Sequence, residues 1–304
     1  MIPINISATS SILYIALCLS VGSSFAQTCD SLTLDSIGNP GAYTVGSLTK
    51  SDGLRNGPDY RRATIYYPTN ATPPYSGMAI IPGFVSGQSS IQNWGPFLAS
   101  HGIVTMIIRT NSILESPETR RDALLDALVT LKGENTRAAS PLLGQLDVNS
   151  FGVGGWSMGG GGAQLAAVAD PSIKAVMVLC PWLDSKTFSP TDINHDAPVL
   201  FFSAENDILA PPASNADVQY DSTLQSTSKM LFEIAGGRHW AANDPSGGGE
   251  YVGKIAVAWL NYFLVGDTCY CPLVLKTPPT ASKYLLNLTC SSLVSVDEVI
   301  PTTL

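Results

Sequence analysis

Charge, histidine and long apolar runs are all scarce in this sequence. Only 13% of its 304 residues are charged, whereas an average soluble chain carries roughly 25%. No Lys or Arg precedes Lys50, and the net charge is −8 with a pI near 4.8. No basic stripe, basic tail or Cys/His zinc spacing is present, which argues against a nucleic-acid partner. No apolar run reaches the roughly 20 residues of a membrane helix, so no membrane insertion is expected. No loop has cation-ligand spacing, and no cofactor or metal is implied. Disorder is excluded as well. It requires low hydrophobicity with high net charge, and 45% of these residues are hydrophobic.

The N-terminus reads as an address. Ile12 to Leu19 form a short apolar run, followed by Ser24-Phe25-Ala26 with small residues at both ends. This pattern predicts a secretory signal peptide over residues 1–26, and hence an extracellular or periplasmic protein. The missing basic n-region departs from that pattern. Neither Leu17 before Cys18 nor Thr28 before Cys29 suits a lipid-anchor box. The mature chain then keeps Cys29, Cys180, Cys269, Cys271 and Cys290. Three of them crowd the end of the chain, which suits an oxidising compartment. Cys180 sits in the apolar run Ala175 to Cys180 and is expected to be buried and free. Cys271–Cys290 is the favoured bridge and Cys29–Cys269 a second, although spacing alone does not fix connectivity.

Apolar, β-branched-rich runs occur at Ala63–Tyr67, Met78–Ile81, Val104–Ile108, Phe151–Gly155, Ala175–Cys180, Val199–Phe202 and Met230–Ile234. Most are continuous rather than alternating, as in strands covered on both faces. Ser116-Pro117-Glu118 supplies an N-cap, a Pro at N1 and a first-turn acid; Leu124, Leu125, Leu128, Val129 and Leu131 then follow at helical spacing. Gly162–Ala169 and Tyr251–Leu264 also read as helices. Strands alternating with helices predict a mostly parallel α/β sheet flanked by helices on both faces. No repeat or linker divides the chain. One domain is expected over residues 27–266, with a Cys-containing tail over 267–304 packed on it. Val296 to Leu304 read as disordered, and the protein is expected to be a monomer.

Gly155-Trp156-Ser157-Met158-Gly159 matches G-x-S-x-G. With 27 Gly and 33 Ser in 304 residues, chance supplies about 0.26 such matches, so the pattern alone is weak. Its context is strong: a strand ends at the motif and a Gly-rich helix opens after it, the arrangement of a nucleophile elbow. A serine hydroxyl needs a neighbouring base, and only His101, His195 and His239 exist. His101 and His195 each precede a strand, at the wrong edge of the sheet, and read as surface or helix-end residues. His239 follows the strand Met230–Ile234 and lies on the correct side. Asp207 follows Val199–Phe202 on that side too, with Asp184 as a reserve acid and Glu205 as a structural neighbour. The order Ser157, Asp207, His239 is that of an α/β-hydrolase without a separate lid domain. The oxyanion hole is assigned to the N–H groups of Met158 and Phe84.

The segment Gly152 to Gly162 resembles the cutinase-like polyester hydrolases, the group that contains the poly(ethylene terephthalate) hydrolases. Pro82-Gly83-Phe84, Gln88-Ser89-Ser90-Ile91, Trp94-Gly95-Pro96, Leu98-Ala99-Ser100-His101-Gly102, Thr110-Asn111-Ser112, Pro181-Trp182, Glu205-Asn206-Asp207 and Gly236-Gly237-Arg238-His239 extend the likeness over about Ala63 to Gly266. The resemblance implies that Phe84 and Trp182 flank the scissile ester, that Met158 lines the floor, that Leu209 forms an aliphatic wall and that Trp156 lines the groove. Departures are specific. Ala204 and Ala241 stand where some members have an extra disulfide. Trp240 is bulkier than the usual residue and is expected to narrow the cleft. Arg109 replaces an Asp, and the pI is acidic. The substrate implied is a polyester or small ester. A lipase or small-ester carboxylesterase is the alternative, and a catalytically dead binding protein a remote one. A dienelactone-type hydrolase would need Cys at position 157.

Overall fold

The computed structural model describes Cys29, residues 31–183 and residues 188–290. The expected signal peptide, Asp184 and Val296–Leu304 lie outside the described residues. The described residues from Leu32 onward form one compact unit.

Among the described residues, nine strands build a single sheet: β1 (Val45–Leu48), β2 (Tyr60–Pro68), β3 (Tyr75–Ile81), β4 (Val104–Thr110), β5 (Leu146–Trp156), β6 (Val176–Leu179), β7 (Val199–Ala204), β8 (Lys229–Ile234) and β9 (Ala281–Asn287). The helices are α1 (Trp94–Ser100), α2 (Pro117–Glu134), α3 (Met158–Ala169), α4 (Ala216–Ser222), α5 (Tyr251–Leu260) and α6 (Cys271–Val274). The spatial order is β1-β2-β4-β3-β5-β6-β7-β8-β9. Strands β3 to β8 pair in parallel, while β1/β2, β2/β4 and β8/β9 are antiparallel. This is the expected α/β-hydrolase arrangement.

The continuous apolar strands are buried on both faces, as their composition predicts. In β3, Met78 and Ile80 face a core made with Trp94 and Leu98 of α1 and Ile255 and Trp259 of α5. Ala79 and Ile81 face the opposite core, with Leu124 and Leu128 of α2 and Ala163 and Ala166 of α3. This period-two division repeats in β7, where Leu200 and Phe202 join the first core and Val199 and Phe201 the second. The strand order reverses around β3, which lies between β4 and β5. A crevice opens at such a switch point, beyond the carboxyl ends of the strands.

Several elements differ from the sequence expectation. Helix α3 begins at Met158, not Gly162, because its four glycines let it lie against neighbouring backbone. The buried stripe of α2 is Ala123, Leu124, Ala127, Leu128 and Leu131, whereas Val129 points outward and is exposed. Helix α5 passes into a π turn at Asn261–Val265 that closes on Gly266, whose φ of 85° suits glycine. Beyond it the chain does not simply cover the domain: β9 adds the sheet's ninth strand, antiparallel to β8. Cys271 and Cys290 are bonded and Cys180 is buried and free, both as read. Cys29 and Cys269 are disulfide-bonded as well.

Candidate active site

Strand β5 delivers Ser157 directly. The chain leaves Trp156 extended and enters α3 at Met158, so Ser157 absorbs the whole turn at φ 55° and ψ −121°. A non-glycine residue in that region is strained, and such strain persists only where the surroundings impose it. Here they do. The Ser157 N–H donates to the Leu179 carbonyl at 2.9 Å, and the Ser157 carbonyl accepts from Gly160, Gly161 and Trp182. The turn is too tight for a side chain at Gly155, where a Cβ would stand 2.2 Å from the Gly159 carbonyl oxygen. Strand β3 ends beside it. A Cβ on Gly83 would lie 2.8 Å from the Ser157 Cβ, so the loop Pro82-Gly83-Phe84 runs against the serine. Among the described residues, the N–H groups of Phe84 and Met158 donate to no protein acceptor. Both are thus open to a ligand oxygen.

Asp207 and His239 come from the ends of β7 and β8. His239 Nδ1 and Asp207 Oδ2 are 2.7 Å apart, and both residues are about 95% buried, at 5% and 4% exposure. The N–H groups of Leu209 and Ala210 donate to Asp207 Oδ1 at 2.9 and 2.8 Å. Burial alone would raise the Asp207 carboxyl. The hydrogen bonds from His239, Ala210 and Leu209 outweigh it and hold the group below the usual carboxylate range. Asp207 therefore stays ionised and fixes the His239 ring with Nε2 as its free nitrogen. Glu205 accepts from the Gly236 N–H at 2.7 Å and braces the same pair of loops.

Trp156 is buried in the core rather than lining the groove. Its indole Nε1–H donates to the His239 carbonyl at 2.9 Å, and the two rings lie 5.1 Å apart. Adjacency to the serine is the one signal in the sequence for this histidine-holding contact. Phe84, Leu209 and Trp240 are 46%, 55% and 56% exposed. Leu209, His239 and Trp240 line one depression of about 510 Å³ together with Ile208. Met158 and Trp182 line another, of about 750 Å³. His101 caps α1 as a helix-end residue. His195, expected at the surface, is instead buried against Gln164 of α3.

Arg120 is the residue that pattern reading missed. It is fully buried and donates to three backbone carbonyls: Pro82 at 2.8 Å, Ile113 at 3.2 Å and Glu115 at 3.2 Å. Ile113 in turn accepts from the Val85 N–H at 2.8 Å, so one guanidinium anchors the Phe84 loop on both sides. Burial lowers the Arg120 pKa to about 10, which still leaves it charged at neutral pH.

Among the described residues, Cys180, Asp207 and His239 are the one group close enough to share a metal. They suit it poorly. Burial pushes the Cys180 thiol far up, away from the thiolate that a metal needs, and Asp207 is already committed to His239 and two amides.

A sequence model of a family described as PET hydrolase-like matches residues 35–290. The chain belongs to the PET hydrolase-like family. It is 36% identical over 238 residues to the bis(hydroxyethyl) terephthalate hydrolase of Streptomyces coelicolor, covering 77% of this chain and 72% of that protein. It is 36% identical over 215 residues to cutinase 1 of Thermobifida cellulosilytica, covering 71% and 78%. A cutinase of Thermobifida fusca is also 36% identical over 215 residues, covering 71% and 68%. This PET hydrolase-like chain is a carboxylic ester hydrolase. Ala204 and Ala241 both approach Gly237, within 3.2 and 3.0 Å of where its Cβ would be. The contact between the Asp207 and His239 loops is therefore made there by small apolar side chains.

Proposed function

We propose that this chain is a secreted serine hydrolase that cleaves the ester bonds of polyesters and of short-chain esters. The observation that carries the reading is the buried Asp207–His239 pair at the carboxyl edge of the sheet that also presents Ser157 on a strained turn. The names of the similar proteins, cutinases and a bis(hydroxyethyl) terephthalate hydrolase, supply the substrate class. No helix among the described residues is long and apolar enough to cross a membrane.

In this mechanism Ser157 Oγ attacks the ester carbonyl while His239 Nε2 takes its proton. Asp207 holds the ring in the required tautomer and stabilises the imidazolium. The developing oxyanion receives the N–H groups of Phe84 and Met158, each worth about 2.7–4 kcal/mol in the transition state. The imidazolium then returns its proton to the departing alkoxide, which leaves an acyl-enzyme on Ser157. Water, activated by the same histidine, releases the acid. Phe84 and Trp182 supply π-faces and apolar area that serve an aromatic or an aliphatic acyl group.

The test is incubation of the chain from Gln27 onward, and of Ser157→Ala, with amorphous poly(ethylene terephthalate) film and with polycaprolactone. Soluble terephthalate products from the unmutated chain alone support an aromatic polyesterase. Polycaprolactone products alone restrict the function to aliphatic polyesters. Hydrolysis of p-nitrophenyl butyrate without either polymer product refutes the polyester reading in favour of a small-ester carboxylesterase.

A further inference from the structure

The two depressions at the mouth of the site are not equivalent. A tetrahedral intermediate on Ser157 has three other substituents. Its oxyanion faces the Phe84 and Met158 amides, and its leaving oxygen must face His239, which protonates it. The alcohol side of the ester therefore lies over the depression lined by His239, Leu209 and Trp240. The acyl side is left with the opposite wall, where Met158 and Trp182 stand. That wall does not end there. Met158 and Trp182 are also part of the lining of the cleft of about 750 Å³ that runs on from the site. A volume of 300–1,000 Å³ is typical of small-molecule sites.

Much of the lining of this cleft is apolar: Leu165 and Val168 of α3 stand there with Leu114, Pro117, Leu183 and the aromatic Phe188. Among the described residues that line it, the acids Glu115, Glu118 and Asp192 outnumber the base Arg121. An apolar chain gains by entering such a cleft, whereas a terminal carboxylate meets like charge.

We propose that this cleft holds the acyl side of the substrate, and that its occupant is an aliphatic acyl chain with an uncharged far end, as the continuing chain of an aliphatic polyester has. The proposal rests on the ester-hydrolase reading above and extends it to acyl-chain selectivity. The cleft favours attack within a chain over attack beside a free carboxylate end.

The experiment compares kcat/KM for p-nitrophenyl butyrate, p-nitrophenyl octanoate and the mono-p-nitrophenyl ester of octanedioic acid, all at low ionic strength. A fully buried methylene contributes about fourfold, so the four added methylenes are expected to raise kcat/KM at least tenfold from butyrate to octanoate. The ω-carboxylate ester is expected to fall severalfold below octanoate, and salt is expected to narrow that gap. Filling the far end of the cleft with Val168→Trp, or with Val168→Arg as a second variant, is expected to lower the octanoate-to-butyrate ratio at least tenfold. Val129→Trp, exposed on α2 and outside the cleft, is expected to leave the ratio unchanged. An octanoate-to-butyrate ratio near one, or a ratio that neither Val168 variant moves, overturns the cleft assignment while leaving ester hydrolysis standing. Failure to hydrolyse butyrate at all overturns the underlying reading, and the cleft assignment with it.

Discussion

Replacing Asp207 with Asn isolates the electrostatic part of the mechanism with little change of shape. The carboxylate now accepts three hydrogen bonds, at 2.9 Å from Leu209, 2.8 Å from Ala210 and 2.7 Å from His239 Nδ1. An asparagine must turn its oxygen toward the two amides, because they can only donate. Its NH2 group then faces His239 Nδ1, which has to become an acceptor. The imidazole proton moves to Nε2, and the base that should take the Ser157 proton is lost. Loss of tautomer control in a Ser-His-Asp triad costs about 10⁴-fold in kcat, or about 5.5 kcal/mol of transition-state stabilisation. Stability should fall by only about 1 kcal/mol, since two of the three hydrogen bonds persist. The assay is kcat/KM on p-nitrophenyl butyrate at pH 8, beside a urea unfolding curve. A loss below tenfold in a folded variant would refute the assignment of Asp207 as the orienting acid.

Other consequences are open to measurement. Arg120→Met removes the donor to the carbonyls of Pro82 and Glu115 and one of the two donors to that of Ile113; a loss of about 3 kcal/mol in urea unfolding is expected, with kcat falling more than KM rises, and wild-type values of both would contradict the anchoring role. Trp156→Phe removes the indole donor to the His239 carbonyl and is expected to lower kcat about tenfold; unchanged kcat would leave the contact structural only. Burial holds His195 neutral, with its pKa lowered from 6.5 to about 4. The unfolded chain binds a proton there that the folded chain does not, so this contribution is intact above pH 6.5 and is lost as pH falls toward 4. It amounts to about 3 kcal/mol at most. His195→Gln should therefore lose less stability than the parent between pH 7 and pH 4, and parallel losses would count against burial of the neutral ring.

The positions of the candidate residues were more legible in the sequence than the scaffolding around them. The pairing of Asp207 with His239 and the place of Ser157 on the strand-to-helix turn follow from chain order, because the ends of parallel strands collect at one edge of the sheet and three histidines leave little to choose among. Elements whose existence depends on distant partners were not legible. Strands β1 and β9 are edge strands held by β2 and β8; β1 has only four residues, and the apolar run in β9 is only Tyr284 to Leu286. The start of α3 was hidden by glycines at Gly159–Gly162, poor helix formers that tertiary contact requires here. Arg120 reads as a surface residue of an amphipathic helix until three carbonyls are seen to surround it. His195 has no apolar neighbour in sequence, and its burial is decided by Gln164, 31 positions away.

One measurement bears on the nucleophile itself. Intact-mass and peptide analysis after treatment with a fluorophosphonate should show a single adduct, on the peptide that holds Ser157. Ser157→Ala should take up no label and lose all hydrolysis of p-nitrophenyl butyrate above the buffer rate. Labelling at another serine, or a Ser157→Ala variant that still turns over ester, would contradict the assignment of this chain as a hydrolase acting through Ser157.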